Sequence, residues 1–186
     1  CGFVGYGAHL PSFRDIAGAR LIAIADRDEK RRAKAAAKHR VETAYEDYRE
    51  LVRDSRVDAV VVALPTPLHV PAALAAIEAG KHVVCEMPLA SSLKEADQLI
   101  EAANSARVVL MPSLTFRFAS HYVRVKQMIR EGAIGPPTSV LYRELIPASD
   151  LASQWPADSW MWQIEKSGGP LFTLSVWSID LIRWLF

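Results

Sequence analysis

Apolar positions follow two rhythms along the first 118 residues: short unbroken runs, and longer stretches in which they recur at helical spacing. Phe3-Val4-Gly5 reads as the end of a strand, and Leu21 to Asp26 as a second strand. Ala59-Val60-Val61-Val62-Ala63 is a third, apolar at every position. A strand without polar alternation is buried on both faces, as in a parallel sheet covered by helices. His82 to Cys85 and Val108 to Met111 give a fourth and a fifth. Between them lie helical segments. Asp28 to His39 is rich in Ala, Lys and Arg, with Asp28 placed to cap it. Leu68 to Ala79 runs up to Gly80, a good residue for ending a helix. Ser91 to Ala106 opens with Ser92 three residues before Glu95, the capping-box spacing. Strands alternating with helices of this length predict right-handed crossovers and a doubly wound parallel sheet, an α/β fold.

Past residue 118 the rhythm changes. Ala119 to Gly132 predicts a helix with a charged wet face, and Thr138 to Ile146 alternates like a half-buried strand. Pro147 to Lys166 shows no period and reads as a long loop, of the kind that is functional or disordered. Leu171 to Phe186 reads as a strongly apolar helix. All five tryptophans (Trp155, Trp160, Trp162, Trp177, Trp184) lie in the last 32 residues. The expected organisation is therefore one domain over 1–118 and the first part of another over 119–186.

Composition narrows the class. The 186 residues carry 22 Lys+Arg against 21 Asp+Glu, a formal charge of +1, which disfavours a nucleic-acid binder. With 51% apolar and 23% charged residues the chain buries a core and is not a disordered tail. Two cysteines, Cys1 and Cys85, are too few for a disulfide framework and suit a reducing compartment. No apolar run approaches the roughly 20 residues of a membrane span, and no basic leader precedes Cys1, so the expected location is the cytoplasm.

Candidate chemistry sits where the strands end. Gly5-Tyr6-Gly7 follows the first strand, where glycines let backbone N–H groups approach a pyrophosphate. The third glycine of the G-x-G-x-x-G fingerprint is absent, since Leu10 stands there. A tight turn without a ligand is the alternative. Asp26 ends the second strand about 20 residues on, where a carboxylate binds the ribose hydroxyls of NAD. Arg27 follows it and suits a 2′-phosphate, so NAD is favoured by Asp26 with NADP kept open. Leu64, Pro65, Thr66 and His69 follow the third strand, and Glu86 and Met87 the fourth, at the carboxyl ends where such sheets bind ligands. The prolines also stop the strand, and His69 reads equally as a surface residue at a helix start. No metal-ligand cluster stands out.

Together with Ala25-Asp26, Pro65-Thr66-Pro67-Leu68-His69, Arg117-Phe118, Gly132-Ala133-Ile134-Gly135 and Gly168-Gly169 through Ile179-Asp180-Leu181, the block Gly80 to Ala90 resembles the Gfo/Idh/MocA family of NAD(P)-dependent oxidoreductases. The resemblance runs the length of the chain, from Gly2 to Phe186. It implies a Rossmann domain followed by the incomplete start of a second α/β domain. It also implies hydride transfer between a nicotinamide and a sugar, cyclitol or related polyol, and association into a homo-oligomer. Arg117 joins the cofactor-binding set on this basis.

Three departures from the family matter. Its Lys, Asp and His catalytic positions are held here by Met87, Thr173 and Trp177. None of these titrates near neutrality. Glu86, Tyr142, His121, Glu165, Lys166 and Asp180 are the remaining titratable candidates. The implied alternatives are an oxidoreductase with a rebuilt site, or a non-catalytic dinucleotide- or metabolite-binding sensor or partner subunit. The tryptophan cluster reads as a sugar-binding face or as packing, with Trp177 placed in the substrate pocket by the resemblance alone. Two shortfalls remain. The family's second domain continues beyond the position matched by Phe186. Gly5 to Asp26 spans 21 steps, a few short of the family pattern. The shortfall falls between Ala8 and His9, and a phosphate-loop segment is expected to be missing there.

Overall fold

The computed structural model describes residues 1–186, except for the side chains of Ala148 and Gln154. The chain divides into two compact units, Cys1–Pro112 and Ser113–Phe186.

The first unit is α/β. Strands β1 (Ala23–Ala25) and β2 (Thr43–Tyr45) form one parallel sheet, with Ile24 opposite Ala44. Strands β3 (Ala59–Val62), β4 (His82–Cys85) and β5 (Leu110–Pro112) form a second parallel sheet in the order β3-β4-β5. Val61 stands opposite Val84, and Val84 opposite Met111. Helices α1 (Leu10–Asp15), α2 (Glu29–His39), α3 (Tyr48–Leu51), α4 (His69–Glu78) and α5 (Leu93–Ala106) provide the connections. The caps are those read from the sequence. Asp28 accepts from the Arg31 N–H at 2.9 Å. At α5 the Ser92 hydroxyl accepts from the Glu95 N–H, and Glu95 in turn accepts from the Ser91 N–H at 3.0 Å. The main core packs Val62, Val83 and Cys85 of the sheet under Ala72, Ala73, Ala76 and Ile77 of α4 and Leu99 and Ala103 of α5. A smaller cluster joins Leu10, Ile24, Ala35 and Val41.

The expected first strand is not formed. Residues 3–15 are helical, with a π-type turn over Gly5–His9. The Tyr6 N–H donates to Gly2 O at 2.8 Å, and the Leu10 N–H donates to Gly5 O across Ala8 and His9. Helical hydrogen bonds thus run across Ala8 and His9. The physical reason lies in the short link. A crossover between parallel strands needs a dozen or more residues and a helix to span the sheet. Too little chain separates Gly7 from Leu21 for both a phosphate turn and such a helix. The turn residues are wound into the helix instead, and their backbone groups bond locally. The parallel sheet is consequently in two pieces. The edges of β1 and β3 opposite their partners both line a cavity of about 620 Å³.

The second unit is helical: α6 (Ser120–Arg130), α7 (Ala148–Gln154), α8 (Ile164–Ser167) and α9 (Gly169–Leu185). Two sequence expectations fail here. Thr138–Ile146 is irregular, because alternation makes a strand only where another strand pairs with it, and this unit has no strand among the described residues. Pro147 to Lys166 is not a bare loop. It holds α7, the 3₁₀ turn Trp160–Trp162 and the start of α8. Trp162 helps to fix it, its indole N–H reaching Trp155 O at 3.1 Å and Pro156 O at 3.0 Å.

Candidate functional site

Parallel strands deliver the residues that follow them to the carboxyl end of their sheet, the side on which such folds bind ligands. Asp26 follows β1. Its Oδ1 accepts from the Asp28 N–H at 2.9 Å. The carboxylate is therefore oriented by the backbone and half-buried, while Arg27 beside it is exposed.

Leu64, Pro65 and Thr66 follow β3. Thr66 is 1% exposed, and its Oγ1 has no hydrogen-bond partner among the described residues. Burying a hydroxyl unpaired costs about 1–3 kcal/mol, so this loop holds a polar group still in want of a partner. His69 is not a surface residue. It is buried, with Nδ1 2.7 Å from Pro88 O and Nε2 2.7 Å from Leu64 O.

Glu86 and Met87 follow β4. The Glu86 N–H extends the ladder to Val62 O at 2.9 Å. Glu86 Oε1 lies 2.5 Å from His9 Nε2, and both side chains are mostly buried. Sequence reasoning missed His9. The signal was its place just after Gly5-Tyr6-Gly7, a segment that every reading of the motif brings to the strand ends. Cys85, one residue before Glu86, is fully buried, and burial first and the Glu86 charge second push its thiol up to about 12. It is no nucleophile at neutral pH.

Gly5, Tyr6 and Gly7 do not form the expected turn, being wound into the helix described above. The Tyr6 ring meets the His39 ring edge-on at 5.4 Å and lies under Lys38 Nζ at 4.5 Å. Asp26, Leu64 to Thr66, Glu86 and Met87 thus stand at the strand ends as the sequence predicts, and the phosphate turn is not formed.

The remaining candidates lie in the second unit. The Arg117 guanidinium forks onto both carboxylate oxygens of Asp180, with Nε to Oδ2 at 2.7 Å, and this pairing holds Arg117 above its ordinary pKa. Thr173 is buried, its hydroxyl 3.0 Å from Gly169 O. The Trp177 indole N–H donates to Ser113 O at 3.3 Å. Burial raises the pKa of Tyr142, whose hydroxyl lies 3.3 Å from Glu144 Oε2. His121, Glu165 and Lys166 are exposed. Among the described residues no three His, Cys, Asp or Glu side chains cluster as a metal site, and no helix is long and apolar enough to cross a membrane.

Comparison with known proteins agrees with these features. Residues 1–114 match the model of the GFO/IDH/MocA oxidoreductase family with an NAD-binding Rossmann fold, and residues 122–186 match a GFO/IDH/MocA C-terminal domain. The chain is 32% identical over 188 residues to myo-inositol 2-dehydrogenase of Thermotoga maritima, covering 99% of this chain and 54% of that protein. It is 32% identical to levoglucosan dehydrogenase of Pseudarthrobacter phenanthrenivorans, over 87% of this chain and 41% of that one. Among solved structures, scyllo-inositol dehydrogenase of Lactobacillus casei with bound NAD(H) and scyllo-inositol superposes with a TM-score of 0.84 at 26% identity, over 95% of this chain and 52% of that one. This chain spans about half the length of the curated relatives it matches. By the match of both its parts, it belongs to the Gfo/Idh/MocA family of oxidoreductases.

Proposed function

We propose that the chain binds NAD or NADP at the carboxyl ends of β1, β3 and β4 and serves oxidation or reduction of a cyclitol or sugar, with a non-standard active site. The observation that carries the binding reading is the unpaired, buried Thr66 hydroxyl in the loop after β3, together with the oriented Asp26 carboxylate after β1. Asp26 would hold the ribose hydroxyls, and Leu64, Pro65, Thr66 and Met87 would line the dinucleotide. The bound nicotinamide supplies the hydride chemistry. Arg117, tied to Asp180, orders its own unit in this reading. Relatives that act on inositol and levoglucosan support the polyol class.

The rebuilt site rests on Met87, Thr173 and Trp177. Thr173 and Trp177 are engaged with backbone carbonyls, and neither moves a proton near neutrality. His9 and Glu86 form a titratable pair at the strand end, and in this reading Glu86 takes or gives the substrate proton while His9 holds it in place. A second reading, a non-catalytic dinucleotide sensor or partner subunit, is favoured by the same three replacements.

The test is a fluorescence titration with NADH and NADPH, followed by absorbance assays with myo-inositol, scyllo-inositol and simple sugars. Saturable binding that weakens at least tenfold in Asp26→Ala is expected, and binding of neither dinucleotide overturns the proposal. Where turnover is seen, Glu86→Gln is expected to lower kcat by about a hundredfold, the reach of general acid–base catalysis. Binding without turnover selects the sensor, and activity gained by Met87→Lys with Trp177→His marks a decayed enzyme.

A further inference from the structure

His69 opens α4 and is 1% exposed, yet no part of it contacts a side-chain partner of opposite charge in the bonds it makes. Its two ring nitrogens instead reach two backbone carbonyls, Leu64 O in the loop after β3 and Pro88 O in the loop after β4, each at 2.7 Å. A carbonyl oxygen only accepts, so the ring donates through whichever nitrogens carry protons. Either neutral tautomer holds one loop, and the doubly protonated ring holds both. The ring is rigid and packed at the head of a helix whose Ala72, Ala73, Ala76 and Ile77 are core residues. A fixed ring seated between the two carbonyls, at 2.7 Å from each, sets the spacing between the two loops.

Those loops carry the residues assigned above to the dinucleotide. Leu64 and Pro88 bracket the set: Pro65 and Thr66 follow the first carbonyl, and Glu86 and Met87 precede the second. We propose that His69 is a positioning residue, a tie that holds the β3 and β4 loops at the separation dinucleotide binding requires. The proposal rests on the dinucleotide reading and deepens it. His69 touches no cofactor itself. It acts through the two carbonyls.

The geometry gives a graded test. An Asn side chain places its amide near the Nδ1 position and a Gln near the Nε2 position. In the full chain, His69→Asn keeps the bond to Pro88, His69→Gln keeps the bond to Leu64, and His69→Leu keeps neither. Hydrogen exchange read by mass spectrometry then reports each loop without any cofactor. Faster exchange is expected in a single loop, over 63–68 in His69→Asn where Nε2 is the donor or over 86–91 in His69→Gln where Nδ1 is, and over that same loop in His69→Leu, with the amides of β3 and β4 unchanged. NADH titration of the same proteins should show affinity lower by about fivefold in the variant that loses the donated bond, the worth of one hydrogen bond, and at least as low in His69→Leu. If His69→Leu fails to fold, the Asn and Gln variants still differ, since only one of them loses the donated bond and loosens its loop. A uniform rise in exchange through the core strands, unchanged loops, or loosened loops with NADH affinity intact overturns the tie alone. Failure of the unsubstituted protein to bind NADH or NADPH overturns the dinucleotide reading, and the tie's proposed purpose with it.

Discussion

Histidine shows how far one residue's surroundings govern its role in this chain. His9, His39 and His69 are all wholly or mostly buried, and each is held differently. His9 meets a carboxylate, His69 meets two carbonyls, and both ring nitrogens of His39 lack partners among the described residues. At His39 burial, then Lys38 and Arg14, push the pKa below its ordinary value of 6.5, and the Tyr6 ring meets the imidazole edge-on. Above the unfolded value the ring is neutral in both states and titration contributes nothing. As pH falls below it, the unfolded chain takes up a proton that the folded chain refuses, so stability declines until the lower folded pKa is passed. Urea unfolding at pH 7.5 and 5.5 should therefore show a smaller acid-induced loss in His39→Leu than in the unsubstituted protein. A burial like that of His69 cannot be read from Pro-Thr-Pro-Leu-His. Periodicity marks it only as a residue at a helix start.

At the scale of elements, local sequence wins where its signals are redundant. The Asp28 cap, the Ser92–Glu95 box and the unbroken apolar run of β3 each stand in the structure as the sequence predicts. It loses where an element depends on a distant partner. Phe3-Val4-Gly5 has strand character, yet it is helical because the link to β1 is short. Gly7 is exposed in that helix, and a Cβ there would meet nothing within 4 Å. Gly7→Ala should raise stability by about 0.5–1 kcal/mol, the usual gain of Ala over Gly in a helix, in chemical denaturation. Gly168 behaves oppositely. It has φ of +77° at the α8–α9 junction, and a Cβ would lie 2.7 Å from Phe172 Cδ1. Gly168→Ala combines backbone strain with a clash and should cost about 1–3 kcal/mol, measured as a lowered denaturation midpoint.

At the scale of the molecule, apolar surface is the dominant feature of the second unit. Leu141, Leu145 and Leu171 are each at least 80% exposed, and Ile179 is 58% exposed on α9. Large exposed apolar side chains of this kind drive association when they are contiguous. In the first unit the same chemistry is turned inward, where the cores under α4, α5 and α2 hold the parallel sheets. The strand-end loops stand on that rigid base, which is why their backbone carbonyls can serve as fixed points for His69.

The sequence by itself determined the α/β class, the positions of β3, β4, α2, α4 and α5, and the strand-end residues Asp26, Thr66, Glu86 and Met87. These depend on short-range patterning and on capping residues within one turn of the element they stop or start. Only the tertiary structure decided that Gly5-Tyr6-Gly7 is helical, that Thr138–Ile146 has no strand partner, that His9 meets Glu86, and that His69 spans two loops. The contact of His9 with Glu86 joins positions 77 residues apart, and that of His69 with Pro88 positions 19 apart. No local pattern encodes such a pairing, because its free energy depends on what the rest of the fold brings within reach.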